Sequence, residues 1–383
     1  MDTPCPESAD ILMIICANPS AQFYSYQAEI EAAVLKVLRG NRYILGPEVE
    51  ALEQEFASYV NTHHAIGVAN GTDALELAIR ALGIGPGDEV ITVSHTAVAT
   101  VAAIESAGAV PVLVDVDPDY YTLNPGQLGD VLSTRTRAVI AVHLYGQAAD
   151  LGAIGDFCQR HKLALIEDAS QAHGAKWRGK RLGSIGQVGC FSCYPTKNLG
   201  AIGDAGLIAT NDEALARKIR SLREYGWQQR YVSDIPGRNS RLDELQAAIL
   251  RVKLRYLDRD NEKRRALAAQ YTAAFTGQAI QAPKEREGVE HVFHLYVVKV
   301  RRRQELIDYL KLQNIHPGIH YPVPVHAQKA YKGRLRTASS MQVTEMMARE
   351  VMSLPLYPEL SAHELKVVAQ SLNDFFMVKQ GAT

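Results

Sequence analysis

The sequence predicts an α/β protein built on a largely parallel β-sheet, with a second, smaller domain. Short runs rich in β-branched residues recur between positions 65 and 210, and stretches with helical spacing separate the first of them. Strands that alternate with helices are typical of a parallel sheet covered by helices. The chain has 383 residues, which is long for a single hydrophobic core and favours two domains.

The strands of the first domain are predicted from short apolar runs. These runs are AIGVA, EVITV, PVLVD, RAVIAVH, LALIED, VGCFS and GLIAT. Helical spacing between the early runs predicts helices at 72–83 and 96–108, and Gly108 is a natural helix stop. The last two runs are joined by a glycine-rich loop that has no helical pattern.

A long amphipathic helix is predicted to begin near Arg241 and to lead into the second domain. Its apolar face comprises Leu245, Ile249, Val252 and Tyr256. We therefore expect a large α/β domain at residues 18–250 and a smaller α+β domain at residues 251–383. The second domain ends in a helix that follows Ser361, which forms a capping box with Glu364.

Charge and composition favour small-molecule partners. Lys and Arg number 41 against 42 Asp and Glu, so the net charge of −1 leaves no basic excess for nucleic acid or an anionic membrane. The apolar run at 11–17 is too short to span a bilayer and follows acidic residues. We therefore expect no signal peptide, no membrane anchor and a cytoplasmic location.

The five cysteines do not have the pattern of a disulfide framework, since their number is odd and they are spread over a long chain. Cys190 and Cys193 have C-x2-C spacing, but neither a second such pair nor two histidines lie nearby. We therefore expect no metal site and interpret both cysteines as small buried residues.

Polar stretches follow several of the predicted strands. They are NGTDA at 70–74, HLYG at 143–146, EDASQAHG at 167–174 and SCYPTKN at 192–198. Ligands of open α/β sheets bind at the carboxyl ends of the strands. The four stretches are therefore expected to meet at one edge of the sheet and to form the functional site.

Two of these stretches carry groups that suit a charged cofactor. Gly71 and Thr72 stand at a predicted helix N-terminus, where free N–H groups bind a phosphate, although Thr72 or Asn70 could simply cap the helix. Asp168 ends a buried strand, where a carboxylate needs a partner. A protonated ring nitrogen, an arginine or a helix cap would each serve.

Lys197 lies between the strand VGCFS and the glycine-rich loop. A lysine in a desolvated pocket loses proton affinity and becomes a nucleophilic amine that can form a Schiff base, whereas a solvated loop lysine does not. A phosphate site, a buried carboxylate and a nucleophilic lysine are together what pyridoxal phosphate (PLP) requires. The combination therefore favours a PLP site.

Six stretches, in order, resemble motifs of a known enzyme family. They are RYILGPEVEALEQEF, IGVANGTDAL, IEDASQAHGA, FSCYPTKNLGAIGDAG, NSRLDELQAAIL and IHYPVPVH. They resemble the DegT/DnrJ/EryC1/StrS sugar aminotransferases over about residues 18–375. The resemblance implies a fold type I PLP-dependent transferase of the aspartate-aminotransferase superfamily. Such an enzyme has a large domain with a mostly parallel central sheet and a smaller α+β C-terminal domain.

The resemblance also implies roles in binding the cofactor ring. Lys197 matches the Schiff-base lysine that shuttles the proton, and Asp168 matches the carboxylate that keeps the pyridinium nitrogen protonated. Gln171 matches a side chain that lies against the ring. The family often stacks an aromatic residue on the ring where this chain has Ala97, so either His95 covers the ring or nothing does.

For the cofactor phosphate, the resemblance implies that Gly71, Thr72 and Ser192 are ligands. Asn239 matches an asparagine that the neighbouring subunit donates to the phosphate, which implies a homodimer with shared active sites. Ala205 replaces a glycine that is common in the family's GDGG loop.

The family's substrates are nucleotide-linked keto-sugars, with L-glutamate as the usual amino donor. Tyr194, His320 and Tyr321 match residues that line the sugar pocket, and Arg230 resembles a partner-subunit residue near the nucleotide diphosphate. The amino-acid sequences of the motifs most resemble those of the branch that aminates C3 of dTDP-3-keto-6-deoxyhexoses.

Four alternatives to C3 amination stay open at this point. C4 amination of a nucleotide-linked 4-keto sugar and amination of a keto-inositol would use the same site residues. A sugar dehydratase of the same fold has histidine in place of the lysine, so Lys197 argues against it. A non-catalytic PLP-binding sensor is the least favoured, because the Lys197 and Asp168 pair is intact.

Overall fold

A computed structural model describes residues 13–275 and 279–380, with side chains up to residue 377. Its strands are β1 (Ile14–Ile15), β2 (His64–Val68), β3 (Glu89–Val93), β4 (Val110–Val114), β5 (Thr136–Val142), β6 (Ala164–Asp168), β7 (Lys176–Trp177), β8 (Lys180–Arg181), β9 (Val188–Ser192), β10 (Gly206–Thr210), β11 (Trp227–Gln229), β12 (Val232–Ser233), β13 (Val289–Glu290), β14 (Tyr296–Lys299), β15 (Ile315–His316), β16 (Arg336–Thr337) and β17 (Val351–Leu354). The α-helices are α1 (Pro19–Ser25), α2 (Gln27–Leu38), α3 (Pro47–Val60), α4 (Gly71–Ala81), α5 (Val98–Ser106), α6 (Leu128–Val131), α7 (Leu151–His161), α8 (Glu213–Leu222), α9 (Glu244–Leu254), α10 (Leu257–Ala274), α11 (Arg303–Leu312), α12 (Gln342–Glu350) and α13 (Ala362–Gln380).

The central sheet has eight strands in the order β16-β4-β3-β5-β6-β9-β10-β2. Strand β10 runs antiparallel to both of its neighbours, and the remaining neighbours pair in parallel. The prediction of an α/β fold with a largely parallel sheet is therefore confirmed. The antiparallel connection is the glycine-rich loop between β9 and β10, which has no room for a crossover helix.

Each of the seven predicted runs forms a strand of this sheet, with ends within one residue of those expected. These strands are buried along almost their whole length, as a sheet covered on both faces requires. Strand β16 was not predicted, because Arg336 and Thr337 make too short a run to carry a pattern. Its parallel pairing with β4 brings the C-terminal part of the chain onto the edge of the central sheet.

The helix predicted from Arg241 onward is two helices. Helix α9 begins at Glu244 and ends at Leu254, and α10 begins at Leu257. The chain turns at Tyr256, whose ring stacks on that of Tyr26 with centroids 4.4 Å apart. The apolar spacing continues across the break and therefore does not reveal it. The contact that accompanies the turn is made by Tyr26, which is distant in the sequence.

Two large hydrophobic clusters hold the fold together. The first surrounds the central sheet, and the second lies among α10, α11, α13, β14 and β17. Ile14 belongs to the second cluster, and β1 pairs in parallel with β15. The start of the described chain therefore packs with the C-terminal part, while the division into 18–250 and 251–383 remains a prediction.

The described helices include none that is long and apolar enough to cross a membrane. The predicted capping box is present at the last helix: Ser361 N donates to Glu364 Oε2 at 2.7 Å, and Glu364 N donates to Ser361 Oγ at 3.1 Å. Each bond satisfies an N–H group that the helix start would otherwise leave free.

A buried carboxylate joins α9 to the start of α3. Glu244 is 2% exposed and accepts from Gly46 N at 2.7 Å, Glu48 N at 3.0 Å and Val49 N at 3.0 Å. It satisfies the free N–H groups at the N-terminus of α3, where the helix dipole also favours a negative charge. Through this contact the first residue of α9 fixes the position of α3.

Replacing Glu244 with Ala should lower the free energy of unfolding by about 3 kcal/mol, because three buried N–H groups would lose their acceptor. Glu244→Gln keeps one acceptor oxygen and should lose clearly less. Urea unfolding followed by circular dichroism measures both. Equal losses for the two variants would contradict the role assigned to the carboxylate.

Candidate active site

A cleft of about 590 Å³ opens at the carboxyl ends of the central strands. Residues from all four polar stretches line it, among them Asn70, His143, Asp168 and Lys197. The prediction that these stretches meet at one edge of the sheet is confirmed. Strand β2 contributes to the same edge because its last residue, Val68, pairs with the start of β10.

Lys197 lies in this cleft, five residues after the end of β9. Its backbone N–H donates to Tyr194 O at 2.8 Å, which closes a tight turn. Burial lowers the pKa of Lys197 to about 8, although Asp168 and Cys193 act in the opposite direction. In the described part of the chain its amine has neither a hydrogen bond nor an ion pair, so it is available for reaction.

Asp168 ends β6 and is 5% exposed. Its Oδ2 accepts from Thr100 Oγ1 at 2.9 Å, and its Oδ1 accepts from Ser170 N at 3.2 Å. No described arginine or lysine forms an ion pair with this carboxylate. Of the alternatives for its partner, the cleft leaves room for a protonated ring nitrogen, which would supply the missing positive charge.

The N-terminus of α4 forms another wall of the cleft. Asn70 caps the helix, with its side chain accepting from Asp73 N at 2.8 Å. The N–H groups of Gly71 and Thr72 donate to no group that the structure describes. A Cβ on Gly71 would lie 2.5 Å from Ser192 Cβ, so only glycine permits this close approach. These free donors fit a phosphate group.

Three requirements of a PLP site therefore meet in one cleft: a desolvated amine, a buried carboxylate and the N-terminus of a helix, and within the described residues the amine, the carboxylate's charge and the first N–H groups of the helix all lack partners. The cradle formed by Gly71 and Ser192 would hold the phosphate, and Asp168 would face the ring nitrogen. Fold and cleft together define a PLP-dependent enzyme that uses a lysine.

The sequence profile of the DegT/DnrJ/EryC1/StrS aminotransferase family matches residues 25–373, and the chain belongs to this family. It is 45% identical over 356 residues to the dTDP-3-amino-3,4,6-trideoxy-alpha-D-glucose transaminase of Streptomyces venezuelae, covering 93% of this chain and 94% of the relative. It is 43% identical over 360 residues to the pleiotropic regulatory protein of Geobacillus stearothermophilus, covering 93% and 97%.

The fold agrees with this relationship. The crystal structure of S. venezuelae DesV in complex with a ketimine intermediate superposes with a TM-score of 0.92 at 44% identity, and the match covers 94% of this chain and 97% of that one. The resemblance inferred from the motifs is thus confirmed. The protein is a PLP-dependent aminotransferase.

The residues predicted to contact the sugar lie in the cleft as well. Tyr194 is 52% exposed at its mouth, and His320 and Tyr321 line it. Gln171 bridges two walls of the cleft: its Oε1 accepts from Tyr145 N at 2.7 Å, and its Nε2 donates to Tyr321 Oη at 3.1 Å. The amide therefore holds the phenol of Tyr321 in place.

Three predicted residues do not line the cleft. His95 is buried with its Nε2 2.7 Å from Tyr145 Oη, so the geometry does not support its covering the cofactor ring. Ala97, which stands where the family often has an aromatic residue, does line the cleft. Arg230 and Asn239 are exposed, and their assignment to a neighbouring active site stays a prediction.

The sequence does not predict Thr100 and His294, which are among the polar residues that line the cleft. Thr100, on α5, holds Asp168, and His294 lines the wall near Lys197. Thr100 carried no signal because its contact depends on how α5 packs against the sheet. His294 stands just before β14, so a search for polar residues that follow strands passes over it.

Substitution of Gly71 with Ala should weaken PLP binding at least about tenfold, because the new methyl group would push α4 away from Ser192 and widen the phosphate cradle. Equilibrium dialysis of the apoprotein against PLP measures the affinity.

Gly155→Ala is the matched control, since a Cβ on this α7 residue would meet nothing within 4 Å. If both alanine variants bound PLP as tightly as the unmodified protein, the cradle would not be the phosphate site.

Proposed function

We propose that the protein transfers an amino group from L-glutamate to C3 of a nucleotide-linked 3-keto-6-deoxyhexose, with dTDP as the nucleotide. The main support for the proposal is the composition of the cleft. Lys197, Asp168 and the N-terminus of α4 lie there together with hydroxyl and imidazole side chains that suit a sugar. The name of the 45% identical relative, a 3-amino-sugar transaminase, supports the choice of C3.

When bound, PLP supplies an electron sink that stabilises negative charge at the reacting carbon. Asp168 would keep the ring nitrogen protonated, which strengthens this sink. Lys197 would take the proton from the substrate carbon and later deliver it to the cofactor. Its pKa of about 8 leaves an appreciable fraction of the amine neutral near pH 7, as a proton acceptor must be.

The side chains at the mouth of the cleft suit sugar hydroxyl groups. Burial raises the pKa of Tyr321 to about 12, so its phenol stays protonated at neutral pH. Burial, assisted by Lys197, lowers the pKa of His320 to about 4, so its imidazole is neutral. Its Nδ1 lies 2.8 Å from Ser353 Oγ, which fixes the ring. Neutral donors and acceptors of this kind bind hydroxyl groups without a charge penalty.

A nucleotide diphosphate is negatively charged and needs cations, but Lys197 is the only lysine or arginine among the described residues that line the cleft. Lys197 is engaged in chemistry, and the described residues that line the cleft include no arginine. Arg230 and Asn239 lie exposed in the segment 227–240, which carries the hairpin β11–β12. We therefore extend the proposal to a homodimer in which Arg230 and Asn239 of the partner subunit complete each site.

A regulatory PLP-binding protein is a second candidate, because the 43% identical relative has a regulatory name. Such a protein would bind the cofactor without turning it over. Lys197 favours turnover, because its amine forms no hydrogen bond or ion pair with the described residues and so has no structural role that would explain its place in the cleft. C4 amination and keto-inositol amination remain alternatives for the acceptor.

The holoenzyme should lose its yellow absorption band when L-glutamate is added, because the amino group moves to the cofactor and Lys197 is released. Lys197→Ala should show no such exchange and no turnover, with an unchanged circular dichroism spectrum. A band that persists with glutamate in the unmodified protein would instead support the regulatory candidate.

Shared active sites can be tested by mixing two inactive variants, Lys197→Ala and Asn239→Ala. After subunit exchange, each heterodimer would contain one intact site, so activity should recover to about a quarter of the unmodified level. A protein that stays monomeric, or heterodimers without recovered activity, would contradict the shared site.

A further inference from the structure

A chain of buried polar side chains ends at His294, in the wall of the cleft. Asn198, the residue after Lys197, donates through Nδ2 to Asn261 Oδ1 at 2.7 Å and to Val292 O at 3.1 Å. Asn261 Nδ2 donates in turn to His173 O at 2.9 Å. His294 Nδ1 lies 3.2 Å from Asn198 Oδ1. The neighbour of the reactive lysine thereby also orients this imidazole.

The hydrogen-bond pattern determines which ring nitrogen of His294 carries the proton. Val292 O can only accept, so the amide nitrogen of Asn198 must face it, and the amide oxygen faces His294. Because this oxygen accepts, His294 Nδ1 must donate. In the neutral ring Nε2 is therefore an acceptor. Nε2 has no partner among the described residues, while the side chain lines the cleft.

The backbone around His294 is held from two sides. Val292 N donates to Gly146 O at 3.1 Å, and Leu295 N donates to Tyr145 O at 3.3 Å. The buried guanidinium of Arg264 lies 3.4 Å from the carbonyl oxygens of both Phe293 and His294. An imidazole held in this way is a fixed part of the cleft wall.

The surroundings keep His294 uncharged. Its pKa lies well below the ordinary value, first because of burial and then because of the groups that face it, which are Lys197, Arg264, His320 and His173. Lys197 must carry a proton during the reaction. Because His294 is neutral, its Nε2 can accept a hydrogen bond from the protonated lysine without competing for the proton.

We propose that His294 is a positioning residue whose Nε2 accepts a hydrogen bond from the Lys197 amine while that amine holds the proton taken from the substrate carbon. Lys197 Nζ would use its lone pair to bond the proton, the C–H electron pair would pass to the electron sink that bound PLP supplies, and the amine would later give the proton to the cofactor, while His294 stays neutral throughout. This inference rests on the proposed role of Lys197, but on no particular sugar.

The experiment compares two variants of the full chain. Asparagine places its amide near the position of Nδ1, so His294→Asn keeps the bond to Asn198 and removes the acceptor at Nε2. Glutamine places an amide near the position of Nε2, so His294→Gln keeps an acceptor there. Both are assayed for the rate of the L-glutamate half-reaction and for the pH dependence of PLP capture by the apoprotein, which reports the pKa of free Lys197.

His294→Asn should slow the half-reaction by about 10- to 100-fold, the effect of one hydrogen bond to a charged group. It should also lower the pKa of Lys197, because the protonated amine loses its acceptor. His294→Gln should retain most of the rate and the pKa. The KM for L-glutamate should change little in either variant.

His291→Asn is the matched control for purely structural damage. This histidine is buried on the same segment, and its Nδ1 accepts from Phe293 N at 2.8 Å, but it does not line the cleft. It should leave the pKa of Lys197 unchanged. An unaltered Lys197 pKa in His294→Asn, or a change in KM alone, would overturn the proposal even if the aminotransferase activity itself is confirmed.

Discussion

The desolvation of one amine is the constraint on which the rest of the site depends. Lys197 lies in the cleft and forms no ion pair with any residue that the structure describes, and burial lowers its pKa, which favours the neutral amine that can attack a carbonyl carbon or accept a proton. The fold holds it there through the turn to Tyr194 and the close-packed loop that follows. A Cβ on Gly200 would lie 2.4 Å from Pro195 O, so the loop can pass this closely only with glycine.

A second buried lysine shows why burial alone does not make a site. Burial also lowers the pKa of Lys253 to about 8, yet its amine donates to Gln22 Oε1 at 2.9 Å and to Gly200 O at 2.7 Å. It lies outside the residues that line the cleft. Its bonds hold helix α9 against the loop after Lys197, so one lysine supports the position of the other.

The sequence predicts the central strands, Lys197, Asp168 and the α4 N-terminus because each depends on a local pattern: an apolar run, the polar residue that ends it, or a helix start. Three features depend on distant contacts and leave no such pattern. Strand β16 pairs through two residues, His294 reaches the cleft from the C-terminal half, and His95 is turned toward Tyr145. The family resemblance points to Tyr194, His320 and Tyr321, which the structure shows in the cleft, whereas their contact with a sugar stays a prediction.

The central claim is that Lys197, and no other lysine, carries the cofactor. Reduction of the PLP-loaded protein with borohydride fixes the cofactor to the lysine that binds it, and peptide mass spectrometry then locates that residue. We expect the added mass on the peptide that contains Lys197. Its appearance on the peptide that contains Lys253, or on no lysine, would contradict the assignment of the active site.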